Sequence, residues 1–262
     1  MSVQPRSPET GGTSPRLRWW RGMVLAVLAG AVLAAEAQAD GNLFQEGVAA
    51  YRSGDYARAA DAFGKEAVLR PASGTLLNLG NAEWQRGQTG RAILAWERAR
   101  WLDPFNNQAR NNLAFARKTA QLESPRLTWF EVVSTWLPNS AWAWIAALSL
   151  WTAVGLVTLP GILRAPKAAW HQAVAACGLA VFLLSLPAHL GIHTRSKLGF
   201  ILEKDTPLRL TPTQEAQYVT RLAAGEPARW VRYSRGYVLV RTSRAAGWVE
   251  QGQLGLTVPS DR

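Results

Sequence analysis

The sequence predicts a multidomain membrane protein in which α-helical hairpins, a two-helix transmembrane hairpin and a small all-β barrel succeed one another along the chain. Three observations predict it. Gly47, Gly54, Arg58, Ala59, Leu69 and Pro71 return 33 residues later as Gly80, Gly87, Arg91, Ala92, Leu102 and Pro104, with Phe63 answered by Trp96. Two long apolar runs, Trp142 to Leu163 and Ala173 to Ile192, come next. After Ser196 the texture changes to short β-rich runs broken by Pro and Gly.

Residues 1–39 read as a secretory signal peptide. Arg16, Arg18 and Arg21 precede an apolar run from Met23 to Ala35, and Ala37-Gln38-Ala39 places cleavage after Ala39. The run is shorter than the ~20 residues that cross a bilayer. Its extension back through Trp19 and Trp20 leaves an uncleaved anchor as the alternative, and both versions export the repeats.

The 33-residue echo places helical repeats at residues 40–72 and 73–105, and the run NNQARNNLAFARK continues it as a capping helix at 106–118. Small Gly and Ala residues let paired helices approach, an aromatic wedges between hairpins, and each proline stops the second helix. Asp55, after Gly54 at a hairpin turn, is placed to cap the second helix. Residues 119–138 form a linker in which Trp129, Phe130, Val133, Trp136 and Leu137 make one apolar stripe on a short helix. Periodicity allows that stripe to lie on a membrane surface or on the last repeat helix.

Transmembrane helices are expected at 139–163 and 173–193. Trp136, Trp142, Trp144, Trp151 and Trp170 fall near or within these apolar runs, as suits a side chain with an apolar body and one polar N–H. The loop 164–172 carries Arg164 and Lys167 and no acid, which suits a cytoplasmic turn, but Arg126, Arg195 and Lys197 flank the other side. The export signal therefore sets the orientation, with both soluble domains periplasmic and the protein in the bacterial inner (cytoplasmic) membrane. Residues 197–262, with the runs LGFIL, PLRL, ARWVRY, YVLVR and GWVE, read as the barrel, and Trp230 and Trp248 as its packing.

Composition excludes several functions. The formal charge of +11 comes mostly from arginines dispersed over every segment, so a nucleic-acid partner is not expected, whereas the lipid bilayer is. Cys177 is the only cysteine, which leaves no intrachain disulfide, CxxC pair or zinc cluster. No GxSxG elbow, HExxH or phosphate-cradling glycine loop occurs, and the chain is read as not an enzyme and as needing no cofactor or metal. His189 and His193 share a helical face, but no third ligand of fitting type lies nearby in sequence.

The repeat residues resemble the tetratricopeptide pattern, shortened by one residue after Pro71. That resemblance implies a groove presenting Tyr51 and Arg52, then Asn81 and Trp84, then Arg110 and Arg117, suited to an extended acidic peptide. Phe44 and Val48 stand where the family's carboxylate clamp has lysine and asparagine, so that clamp is incomplete. The C-terminal run resembles a bacterial SH3-like domain through Thr206-Pro207-Leu208-Arg209, Pro212, Leu222, Gly225-Glu226, Gly236-Tyr237-Val238-Leu239-Val240-Arg241, Gly247-Trp248-Val249 and Leu254.

The whole order, export signal through barrel, resembles the BatE-type proteins of the Bat aerotolerance group. The resemblance implies a non-enzymatic scaffold or adaptor in envelope stress tolerance. Its implied partners are membrane proteins with von Willebrand factor A domains and a MoxR-type ATPase. Two alternatives stay open: a cell-wall sensor binding peptidoglycan through the SH3-like domain, and an accessory to haem or cytochrome maturation resting on His189 and His193.

Overall fold

A computed structural model describes residues 43–162 and 169–258. The expected signal peptide, residues 163–168 at the loop between the apolar helices, and residues 259–262 lie outside the described residues.

The described residues open with four helices in two antiparallel hairpins: α1 (residues 43–52), α2 (Tyr56–Leu69), α3 (Ser73–Gln85) and α4 (Thr89–Leu102). Both hairpins turn on the same device. Gly54 at φ +82° and Gly87 at φ +74° occupy the left-handed region, where a side chain is strained. Asp55 then caps α2, its carboxylate accepting from the Arg58 N–H at 3.0 Å. Each hairpin also closes on an aromatic: a Cβ at Gly47 would stand 2.7 Å from the Phe63 ring, and one at Gly80 would stand 2.5 Å from Trp96. The second helices end at Leu69 and Leu102, two residues before Pro71 and Pro104.

Helix α5 (Asn107–Thr119) covers the second hairpin with Ala109, Leu113 and Ala116. Its N-cap Asn106 accepts from the Ala109 N–H and donates to Ser73 Oγ, both at 2.9 Å, and Ser73 in turn donates to the Ala99 carbonyl at 2.9 Å. Three helices are thereby tied at one corner.

Beyond the linker come α6 (Trp129–Ser134), α7 (Asn139–Ile162) and α8 (Ala169–Arg195). At 24 and 27 residues, α7 and α8 are both long and apolar enough to cross a membrane. They run to roughly 36 and 40 Å, against a hydrocarbon core of ~30 Å. They pack on each other where Gly178 faces the Ser149 carbonyl, at 2.9 Å from a built Cβ. Trp151, Leu148, Val157 and Leu184 stay exposed on the pair, so most of its apolar surface is left uncovered by the described residues. Pro187 lies inside α8, which continues through it to Arg195.

The C-terminal unit is an antiparallel sheet of seven strands: β1 (Leu198–Ile201), β2 (Thr206–Arg209), β3 (Tyr218–Leu222), β4 (Pro227–Ser234), β5 (Tyr237–Arg241), β6 (Ala246–Glu250) and β7 (Leu254–Leu256). Their order across the sheet is β3-β2-β6-β5-β4-β1-β7. All seven strands feed one core through Ile201, Leu208, Leu222, Ala228, Val238, Val249 and Leu254, so the sheet curls around its own interior while β3 and β7 remain its edges. The β4–β5 hairpin turns on Arg235-Gly236, both at positive φ, the twist that suits a two-residue loop.

The repeats and the sheet share a second core. Ile93, Leu94 and Trp96 of α4 bury with Leu198 and Phe200 of β1, together with Leu113 of α5. Glycines permit the close approach: a Cβ at Gly90 would meet the Ile201 and Leu202 carbonyls at 2.4 Å, and one at Gly255 would meet Leu94 at 2.2 Å. Arg98 of α4 donates through Nε and Nη2 to the Leu256 carbonyl at 3.0 and 2.8 Å, and burial holds its pKa below the ordinary arginine value.

The closures make a paired prediction. Gly80→Ala forces Trp96 from its place and lowers stability by about 1–3 kcal/mol, the usual effect of overpacking. Gly64→Ala in α2, with nothing within 4 Å of its built Cβ, instead gains helix propensity. Thermal unfolding of the detergent-purified full chain, followed by circular dichroism, should move the two midpoints in opposite directions.

Candidate functional site

Three places in the described residues combine exposed surface with fixed polar groups. The first lies where α3 meets α5. Asn81 Oδ1 accepts from Trp96 Nε1 at 3.1 Å and from Asn112 Nδ2 at 2.8 Å, which fixes the amides of α3 and α5 against each other. Beside them Trp84 packs on Trp96, with ring centroids 5.9 Å apart, and edge-on to Phe115, at 5.8 Å. Phe115 remains 59% exposed. The result is an aromatic and amide surface held rigidly by buried neighbours.

Of the six residues that the sequence assigns to a groove, Asn81 and Trp84 come together here. Tyr51 stacks edge-on to Tyr56 at 5.2 Å in the first hairpin, and Arg52 is exposed beside it. Arg110 is exposed on α5. Arg117 turns to α4 and pairs with Glu97. The stripe Ala109, Leu113 and Ala116 packs α5 down, so Asn112 and Phe115 flank the α3 side while Arg117 flanks the α4 side. Asn112 and Phe115 are therefore the site residues that the 33-residue register misses. An amide-to-amide bond between helices leaves no periodic trace.

The second place is a groove of about 770 Å³ along α2, α3 and α4. The exposed Val68 and Leu69 line it together with Lys65 and Arg91. Leu69 and Arg91 belong to the 33-residue echo, but the echo by itself does not bring them together.

The third is the junction around α6. Its short helix begins with a capping box in which Glu131 Oε2 accepts from the Thr128 N–H at 2.8 Å. Both Glu131 oxygens also accept from Arg229 of β4, each at 2.8 Å. Burial raises the Glu131 pKa, but the Arg229 hydrogen bonds and charge, the Thr128 N–H and the Thr194 hydroxyl outweigh it, so its carboxyl is held below 4.5. Gly191 of α8 sits against this helix, its built Cβ 2.2 Å from the Phe130 carbonyl. The polarity of α6 is inverted relative to a helix in water. Glu131 and Ser134 are fully buried, whereas Trp129 is 67% exposed and Trp136, just past the helix, 61%.

Among the described residues no cluster of three or more His, Cys, Asp or Glu is spaced to hold a metal ion. His189 and His193 stand on α8, the first half-buried and the second exposed. No protein-family model matches the chain, and no similar sequence is found among curated proteins.

The Glu131–Arg229 pair makes a pH prediction. A carboxylate whose folded pKa is depressed adds stability that is present above its unfolded pKa and is lost as pH falls through the folded value. Glu131→Gln removes one partner of a pair whose arginine side chain is 32% exposed, so the loss is discounted to about 1–3 kcal/mol. Melting midpoints of wild type and variant should differ most at neutral pH and converge as pH falls below 4.5.

Proposed function

We propose that this chain is a membrane-anchored, non-enzymatic scaffold that presents the surface built by Asn81, Trp84, Asn112 and Phe115 to an envelope protein. Tetratricopeptide-like repeats and an SH3-like barrel stand together on the periplasmic side of the inner membrane, above a two-helix anchor. The observation that carries this reading is the rigid aromatic and amide face at α3 and α5. It offers exposed area and satisfied hydrogen bonds but no titratable pair to drive a reaction. The shared core of α4 and β1 supports the topology, since it keeps residues before α7 and after α8 on one side of the two apolar helices.

The resemblance to the BatE-type arrangement suggests the partner class: membrane proteins with von Willebrand factor A domains, working with a MoxR-type ATPase in stress tolerance. The inverted polarity of α6 supports a lipid-facing role for Trp129 and Trp136, whose rings suit the interface.

Crosslinking in native membranes followed by purification should recover one membrane protein of that class. Phe115→Ala should lower its recovery tenfold or more, about 1.4 kcal/mol or greater, with the melting midpoint unchanged within a degree or two. Full recovery by the variant counts against the surface. Reporter fusions after residues 120, 168 and 262 should report outside, inside and outside, and any other order removes the topology.

A further inference from the structure

A cavity of about 280 Å³ lies where α4, α5, the linker, α6, the end of α8 and the start of β1 converge. Its charged lining is Arg100, Arg117, Arg195 and Glu97. Arg117 and Glu97 pair with each other. Two guanidiniums remain. Arg195 is only 7% exposed, donates one N–H to Ser134 Oγ at 3.1 Å, and lies over the Trp101 ring at 4.6 Å. Arg100 has its Nε buried with no hydrogen-bond partner among the described residues.

Two carboxylates face Arg195, Glu97 of α4 and Glu131 of α6, but each is already engaged by another arginine, Glu97 by Arg117 and both oxygens of Glu131 by Arg229. The three arginines of the cavity thus outnumber its one carboxylate. Like charges held together away from water are unfavourable without a counter-charge. A planar fork with unused donors is the chemistry that recognises phosphate.

We propose that this cavity binds a phosphate anion between Arg100 and Arg195, supplied as the head group of an anionic phospholipid or as a free phosphate. The head-group source rests on the reading of α7 and α8 as membrane spans. Arg195 is the last residue of α8, and Val132, on the exposed side of α6, lines the same cavity, so its mouth stands at head-group depth. The tryptophan under Arg195 leaves the outer edge of its guanidinium free to bind an oxyanion in plane. The engaged Arg117–Glu97 pair lines the same cavity.

The test uses the full chain purified in detergent, at fixed ionic strength because surface electrostatics are screened by salt. In the first arm native mass spectrometry compares retention of phosphatidylglycerol with that of phosphatidylcholine. In the second, inorganic phosphate is titrated while the melting midpoint is followed. Wild type should retain phosphatidylglycerol at least tenfold over phosphatidylcholine, and Arg100→Gln should reduce that preference at least fivefold with its midpoint in phosphatidylcholine unchanged. Arg195→Gln repeats the measurement on the other wall, and Arg100→Gln carries the test should that variant not fold. A phosphate-dependent rise in midpoint in wild type but not in Arg100→Gln supports the site with free phosphate as its source, and does so whether or not the spans cross a membrane. Equal phosphatidylglycerol retention by wild type and Arg100→Gln, with no phosphate effect on either, overturns the proposal.

Discussion

Helix α4 is the constraint on which the rest of the molecule depends. It is buried on two sides, against α3 and α5 through Trp96 and Ala99, and against the sheet through Ile93 and Leu94. Full burial of such apolar side chains contributes roughly 1.5–3 kcal/mol each. The charged hydrogen bonds from Arg98 to Leu256 add about 1.5–3 kcal/mol. The apolar contribution thus dominates, and the arginine fixes register more than it supplies affinity. With α4 held in this way, the repeats and the sheet form one body rather than two beads on a string.

That body constrains the linker in turn. Glu131 can be fully buried only because Arg229 reaches it from β4 and the start of α6 supplies an N–H, which together replace the water it has lost. With its polar side turned inward, α6 has no choice but to show Trp129 and Val132 outward. An apolar stripe identified by spacing alone thus becomes a statement about which side carries the tryptophans. The answer came from a carboxylate whose partner sits 98 residues away.

Local signals in the chain were readable wherever one residue type serves one geometric need. Gly54 and Gly87 recur because a left-handed turn demands them, Gly47 and Gly80 because an aromatic occupies the space above, and the two apolar runs because nothing polar interrupts them. Contacts between units were not readable. Gly90 and Gly255 look like any other glycine until strand and helix meet over them. On α5 the echo points to Arg110 and Arg117, but packing through Leu113 rolls the helix so that Asn112 and Phe115 meet α3 instead. The sheet was expected as a small barrel, and its seven strands curl around one core without β3 and β7 joining.

The bond between Arg98 and Leu256 spans 158 positions, with both apolar helices lying between its ends. During synthesis, therefore, the repeats emerge long before the strands that cover Ile93 and Leu94. Until β1 and β7 arrive, an oily flank of α4 stays open to whatever surrounds the nascent polypeptide. Biogenesis of this protein is accordingly a waiting problem: the repeats gain their cover only once the later strands are made, and a holding chaperone or a rapid insertion step has its natural point of action in that interval.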